Sequence, residues 1–210
     1  MTTTAELSVI ASHDQLRELL GEASDNTKQK KITRIEQHAR TIIEHSPLVL
    51  LATSAPDGTC DVSPRGDPAG SVLILDEHTL VLAERPGNRL ADSLSNLIDN
   101  PHAGLLFLVP GMNESLRVNG RVTIVSDAPF FERLVIRGKR PRLALMLHVE
   151  DLYLHCAKAF LRSTLWDPST WPARSEIPTM GRMLKDQLAL AVSAEELDAY
   201  LDESSVTKQY

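Results

Sequence analysis

Apolar positions along the chain change period twice, and the changes divide it into three parts. Near the start, Ser12-x-x-Gln15 is a capping box, and Leu16, Leu19 and Leu20 give a short amphipathic helix ending near Gly21. Residues 23–31 are polar and read as a linker. Ile32, Ile35, Ala39, Ile42 and Ile43 recur at helical spacing, which predicts a helix over 31–45 stopped by Ser46-Pro47. From Leu48 onward the pattern becomes short apolar runs punctuated by turns. Leu48–Ala52, Thr59–Val62, Val72–Leu75, Leu80–Ala83, Gly104–Val109, Leu116–Val125 and Met146–Leu154 all read as strands. Ala55-Pro56-Asp57-Gly58 and Asp76-Glu77-His78 are hairpin turns between successive runs. Two helices interrupt the strands: Leu90, Leu94, Leu97 and Ile98 mark one after Asn88, and Ser126-Asp127 opens another through about Arg137. Gly104–Val109 is continuously apolar, so burial on both faces is expected. A turn or bulge is expected near Gly120.

The last part differs again. Residues 156–163 read as a short helix and 167–178, with three prolines, as a loop. Ser193-x-x-Glu196 caps a final helix, and the six acids and no base between Asp186 and Thr207 make it an acidic, solvated face. The expected organisation is therefore N-terminal helices over 1–45, a β core over 46–166 and a loop-and-helix extension over 167–210, all within one structural domain. Many short strands with few helices argue against a βαβ architecture.

Composition narrows the function classes. The formal charge of −6 argues against nucleic acid as the main partner. No apolar stretch approaches the roughly 20 residues that span a bilayer, and Met1–Glu6 lacks the basic and apolar regions of a signal peptide, so a cytoplasmic protein is expected. Cys60 and Cys156 make no disulfide framework, and Cys156 reads as a buried thiol. His148, Glu150, His155 and Cys156 lack metal-ligand spacing, so no metal is expected.

The chemistry concentrates in two arginine motifs, Asp61-Val-Ser-Pro-Arg-Gly-Asp-Pro68 and Glu84-Arg-Pro-Gly-Asn-Arg-Leu90. Each follows a strand-like run, and the second opens a helix. Two arginine-bearing turns on neighbouring strands can converge on one anion, which the forked guanidinium suits, and a helix N-terminus adds free N–H groups. Either motif also reads as an ordinary surface turn, with Asn88 as helix cap. The chain holds no Gly-x-Gly, so neither dinucleotide nor Walker phosphate loops are present. Arg133, Arg137, Lys139, Arg140 and Arg142 form a basic cluster that reads as a solvated face, with a contact for an anionic substrate as the alternative.

Six stretches in this order resemble the pyridoxamine-phosphate-oxidase-like flavoproteins, closest to a bacterial subgroup of FMN-dependent enzymes: Ser46-Pro47, Asp61–Asp67, Arg85–Arg89, Gly104–Gly111, Leu116–Arg121 and His155–Trp166. The resemblance implies a mainly β fold with peripheral helices, the FMN-binding split β-barrel. It implies an FMN-dependent oxidoreductase acting on a small molecule, with NAD(P)H as a candidate electron donor, working as a homodimer with two equivalent FMN sites across the interface. A non-catalytic FMN-binding protein that stores the cofactor or senses a ligand fits the same resemblance, as does a haem- or deazaflavin-binding member of the fold. By position, Ser63, Arg65, Gly66, Asp67, Arg85, Asn88 and Arg89 are implied cofactor contacts, with Arg89 a better phosphate ligand than Arg85, and Glu114 and Arg117 approach the partner's flavin. His155, Lys158, Arg162 and Trp166 combine titratable, cationic and aromatic groups in one block and are the catalytic candidates. The strict oxidase's Arg-x-x-x-Leu-Lys motif and its Arg-Leu-x-Pro ending are not seen.

Overall fold

A computed structural model describes residues 7–210; the reading of Met1–Glu6 lies outside the described residues. Seven strands form one antiparallel sheet: β1 (Leu48–Ser54), β2 (Cys60–Gly66), β3 (Leu73–Ile74), β4 (Thr79–Glu84), β5 (His102–Leu108), β6 (Ser115–Val125) and β7 (Leu143–His155), in the order β2-β1-β5-β6-β7-β4-β3. The helices are α1 (His13–Leu20), α2 (Asp25–Gln29), α3 (Gln37–His45), α4 (Asp92–Asp99), α5 (Lys158–Ser163), α6 (Met180–Leu188) and α7 (Ala194–Thr207). The fold is mainly β with peripheral helices, the split-barrel arrangement.

Strands β1 and β5 alternate strictly, whereas β4 buries Leu80, Val81 and Leu82 in succession because Val81 and Ala144 pack into a second cluster with Leu73, Phe131 and Leu134. Val49, Leu51, Leu105, Phe107, Leu116, Val118, Leu147 and Val149 all point into one core, joined by Ile35, Ala39 and Ile43 from the α3 region and Leu97 from α4. β5 corrects the expectation of two-sided burial. Ala103, Leu105 and Phe107 are buried, while Leu106 and Leu108 are half-buried on the outer face. The apolar run reflects a second apolar surface rather than a second core layer.

Curvature comes from a bulge. Asn119 pairs with Asp151 and Gly120 with Val149, so Glu150 on β7 is the extra residue. A Cβ at Gly120 would lie 1.9 Å from the His148 carbonyl oxygen, so the strands approach this closely only with glycine there. The expected irregularity at Gly120 is thus present, and its cause is a close backbone approach.

Several local expectations differ. The polar linker holds a short helix, α2, because Ser24 caps it by accepting from the Thr27 N–H. The helix expected over 31–45 begins only at Gln37, capped by the Glu36 carboxylate, because Ile32 is drawn into a bridge with Leu152. The helix expected from Ser126 is a short 3-10 helix, Pro129–Leu134, after which Arg137 and Gly138 at positive φ reverse the chain in a tight bridge between Ile136 and Lys139. α6 was not legible and is capped by Thr179. Cys156 is exposed, not buried. No described helix is long and apolar enough to cross a membrane.

Candidate functional site

Arg65 belongs to strand β2, not to a turn. β2 continues through Gly66, and Ser63 and Arg65 pair with Leu51 and Val49 of β1, whose side chains point into the core. Strand alternation therefore sends Asp61, Ser63 and Arg65 to the same inward face. Here they meet α4, whose Ser93 is 3% exposed.

Ser93 ties the three together. Its hydroxyl donates to the Asp61 carboxylate, while Arg65 Nη2 donates to Ser93 Oγ at 3.1 Å. The Ser63 and Ser93 oxygens are 3.0 Å apart. An ionised Asp61 can only accept, so the one Ser93 proton is committed to it and Ser63 donates to Ser93. Arg65 also ion-pairs with Glu84 at the end of β4. Two residues on, Asp67 Oδ2 accepts from Arg85 Nε at 2.8 Å. These two half-buried pairs clip β2 to β4 across the open seam of the barrel. They are shielded enough to be worth more than exposed pairs, yet each has also lost hydration, so their main effect is to fix position.

The seam opens into a groove of about 1420 Å³, lined by both arginine motifs, by the start of α4, by Lys139–Leu143 and by part of α6 and the C-terminal segment. Its size exceeds the roughly 300–1,000 Å³ of a drug-sized site, so it suits an elongated ligand. Ser63, Arg65, Gly66, Asp67, Arg85, Asn88 and Arg89 all line it. They are not equivalent. Arg85 is engaged three ways: by Asp67, by the Leu134 carbonyl at 2.9 Å, and by the Tyr210 ring, whose centroid is 5.3 Å from the guanidinium carbon. Arg89 is exposed, holds φ at 65°, and forms no ion pair among the described residues. Arg65 Nε and Asp67 Oδ1 are buried without hydrogen-bond partners.

Asn88 does not cap α4. Its side-chain oxygen accepts from the Leu90 N–H at 3.0 Å, and the cap position is Ala91, left-handed at φ 61° with no side-chain bond. The first N–H groups of α4 therefore have no side-chain partner and border the groove.

The other named residues lie elsewhere. Arg117 is on the outer face of β6. It stacks on Tyr153 (4.2 Å to the ring centroid) and its Nη2 is 3.8 Å from Asp151, while its Nε is buried and unbonded. His155 ends β7 with its ring 4.8 Å from Tyr153. Burial pushes the His155 pKa below its ordinary 6.5, and the positive Arg117 pushes the same way. Glu114 is half-buried just before β6, and Lys158 and Arg162 are exposed on α5. Trp166 stacks on Phe160 and donates its indole N–H to the Met112 carbonyl at 2.8 Å, a structural engagement. None of these lines the groove within one chain.

Sequence reasoning missed Asp61, Ser93 and Glu84, the partners of Arg65. The alternation Asp61-x-Ser63-x-Arg65 carried the signal and was obscured by reading Pro64-Arg65-Gly66 as a turn. Lys139, Arg140 and Arg142, which read first as a solvated face and alternatively as an anion contact, all line the groove. Tyr210 left no sequence signal.

Comparison with known proteins bears on the whole arrangement. The family model for pyridoxamine 5'-phosphate oxidase matches residues 35–156, more than half of the chain and all seven strands of the sheet. No curated protein matches. Solved structures that are similar include HupZ of Group A Streptococcus (20% identity, 56% of this chain and 91% of that one, TM-score 0.46). A proposed pyridoxamine 5'-phosphate oxidase of Lactobacillus delbrueckii shares 21% identity over 59% of this chain and 98% of that one, with TM-score 0.47. An FMN-binding protein of Syntrophomonas wolfei shares 13% over 56% and 88%, with TM-score 0.43. With the match spanning residues 35–156, the chain belongs to the pyridoxamine 5'-phosphate oxidase family.

Proposed function

We propose that the groove between β2 and β4 binds FMN and that the protein is an FMN-dependent oxidoreductase of small molecules. One observation carries the reading: Arg65 and Arg89, 24 residues apart in sequence, line one groove beside the uncapped start of α4. That combination of guanidinium and backbone donors suits a terminal phosphate. The donor set fits the group. Arg89 has no carboxylate partner among the described residues, and Arg65 has a buried Nε–H with no acceptor.

In this reading Arg89 and the first amides of α4 bind the phosphate, Arg65 lines the adjoining wall, and Ser63, Asp61 and Ser93 hold Arg65 in place. Arg85 acts as a positioning residue between β4, Asp67 and the C-terminal segment. When bound, FMN would supply the electron-carrying chemistry, and the protein binds, orients and excludes water. Arg117 and His155 lie on the outer face of the sheet or at its end. They reach a flavin only if a second copy brings them there. The outer face offers a surface for that copy, since Leu48, Val62 and Leu106 on neighbouring strands are exposed or half-buried. A homodimer with the site shared across the interface is therefore part of the proposal, as is a donor such as NAD(P)H.

A second reading, a flavin store or ligand sensor, is favoured by a specific feature: the titratable His155 and the cationic Lys158 and Arg162 lie outside the groove of their own chain. The visible spectrum of freshly purified protein, followed by turnover with NADH or NADPH and a panel of acceptors, separates the readings. Flavin absorbance with turnover supports the enzyme, flavin absorbance without turnover the store, and a haem-type spectrum refutes FMN.

A further inference from the structure

We propose that α6 and α7 form a lid over the groove, latched shut by the Tyr210 ring against Arg85 and Arg137, and that its opening sets how fast the groove takes up and releases its ligand. The inference deepens the reading that this groove binds FMN, and it rests on that reading for the identity of the ligand.

The first observation is how little ties these helices to the barrel. Neither apolar core includes a residue beyond Leu152. α7 buries none of its residues, and α6 buries only Gly181, against α7 itself. The Gly181 N–H donates to Asp198 Oδ1 at 2.7 Å, and a Cβ at Gly181 would lie 2.6 Å from the Ala194 carbonyl oxygen. The two helices therefore pack on each other as one unit. Among the described residues past Trp171, one hydrogen bond reaches the barrel, from Arg137 Nη1 to Gln209 Oε1 at 3.2 Å, and the others stay within the segment. No ion pair among the described residues joins the segment to the barrel. Segments with so little core burial lie at the low-stability end of a structure, from which lids are drawn.

Placement is the second. Leu201, Ser204, Ser205 and Lys208, spaced i, i+3, i+4 and i+7, line the groove, so α7 lays one helical face along it. Asp202 and Glu203 are exposed and outside the groove, so this face brings no carboxylate to a site lined by arginines. Both helices lie beyond the family-matched residues 35–156, so the lid is an addition to the common core. The latch is the third observation. The Tyr210 ring centroid is 5.3 Å from the Arg85 guanidinium carbon and 5.4 Å from that of Arg137. Both arginines are held from the barrel side. Arg85 donates to Asp67 and to the Leu134 carbonyl, and Arg137 sits at φ 50° in the turn bridged by Ile136 and Lys139. Tyr210 is therefore the partner free to leave, and Arg85, which lines the groove, joins the latch to the ligand site.

Thiol reactivity tests the lid without any ligand. In a Cys60→Ser/Cys156→Ser background, Ser204→Cys puts a thiol on the groove face of α7, and Ala199→Cys puts one on an exposed position of the same helix. Each is reacted with the neutral disulfide 4,4'-dithiodipyridine, alone and combined with Tyr210→Phe or Tyr210→Leu. Tyr210→Phe keeps the ring and is expected to match the parent. Tyr210→Leu is expected to speed the Ser204→Cys reaction about fivefold or more, through loss of two cation–π contacts, and to leave Ala199→Cys unchanged. Equal Ser204→Cys rates in all three proteins overturn the latch, and so does a rise at both positions, which would mean that α7 itself unravels. Stopped-flow flavin fluorescence then follows FMN uptake and release in the parent and both Tyr210 variants. Both rates are expected to rise about fivefold or more in Tyr210→Leu, with Kd changing less than either rate. Unchanged rates beside a faster thiol reaction overturn the control of ligand exchange. A parent that binds no FMN refutes the cofactor reading, and the lid then stands or falls on the thiol rates alone.

Discussion

Arg65 on β2 donates to the buried hydroxyl of Ser93 on α4, 3.1 Å away and 28 residues later in the chain. The bond fixes the end of the arginine at the barrel seam, and it depends on Asp61 taking the Ser93 proton. Ser93→Ala removes one donor and two acceptances at a site with almost no water. Unfolding by urea is expected to show a loss of about 1–3 kcal/mol, the cost of leaving Asp61 and Ser63 short of partners. Ser93→Thr keeps the hydroxyl and is expected to lose less than Ser93→Ala.

Gly120 tests the bulge. With the His148 carbonyl oxygen 1.9 Å from where a Cβ would lie, and that oxygen part of the backbone, β6 and β7 must separate to admit alanine. Gly120→Ala is expected to destabilise by at least about 2 kcal/mol, in the upper part of the usual range for overpacking or beyond it. Gly58→Ala, at a turn with open space but φ 91°, is expected to cost less. Chemical denaturation of the two variants side by side checks the order.

His155 gives a pH dependence. Its folded pKa lies below 6.5, first through burial and then through Arg117. Below 6.5 the unfolded chain therefore binds more protons at this residue than the folded one. Its contribution to stability is full above 6.5 and is lost as pH falls towards and through the folded value. Arg117→Met removes the charge but not the burial. NMR titration of His155 is expected to show its pKa move upward in that variant while staying below 6.5. A downward move contradicts the assigned cause.

The outer face of the sheet predicts the assembly. Val62 is 65% exposed on β2, and Leu106 is half-buried on β5. Sedimentation equilibrium at micromolar concentration is expected to give a dimer. Val62→Lys/Leu106→Lys is expected to shift it to monomer and, because the site is proposed to be shared, to weaken flavin binding. A monomeric parent that still holds FMN tightly contradicts the shared site.

Strands such as β1 and β5 were readable because every second residue is buried, which leaves a two-residue period in the sequence. Leu105, Phe107 and Val118 are examples. The cap at Ser12 and the capping box at Ser193 were readable because a cap is a local bond, although at Ser12 the box does not close: the Gln15 side chain accepts from the Ala11 N–H instead. The site was legible in part. Both motifs line the groove, but Arg65 was misplaced because Pro64 and Gly66, turn residues by composition, occur here on edge strand β2, where proline loses no ladder bond it needs. The partnership of Arg65 with Ser93 and of Arg85 with Tyr210 depends on which elements the barrel brings together, and no local pattern encodes it. Arg137's left-handed turn was likewise hidden, since arginine gives no sign of positive φ.

The central claim is that the two arginine motifs form one phosphate-binding groove for FMN. Fluorescence titration of apo protein with FMN and with riboflavin, in the parent, Arg65→Ala and Arg89→Ala, tests it most directly. The account predicts that the parent prefers FMN, that each variant weakens FMN binding by about tenfold or more, as expected for a lost charged hydrogen bond, and that riboflavin binding changes little in Arg89→Ala. Unchanged FMN affinity in both variants contradicts it.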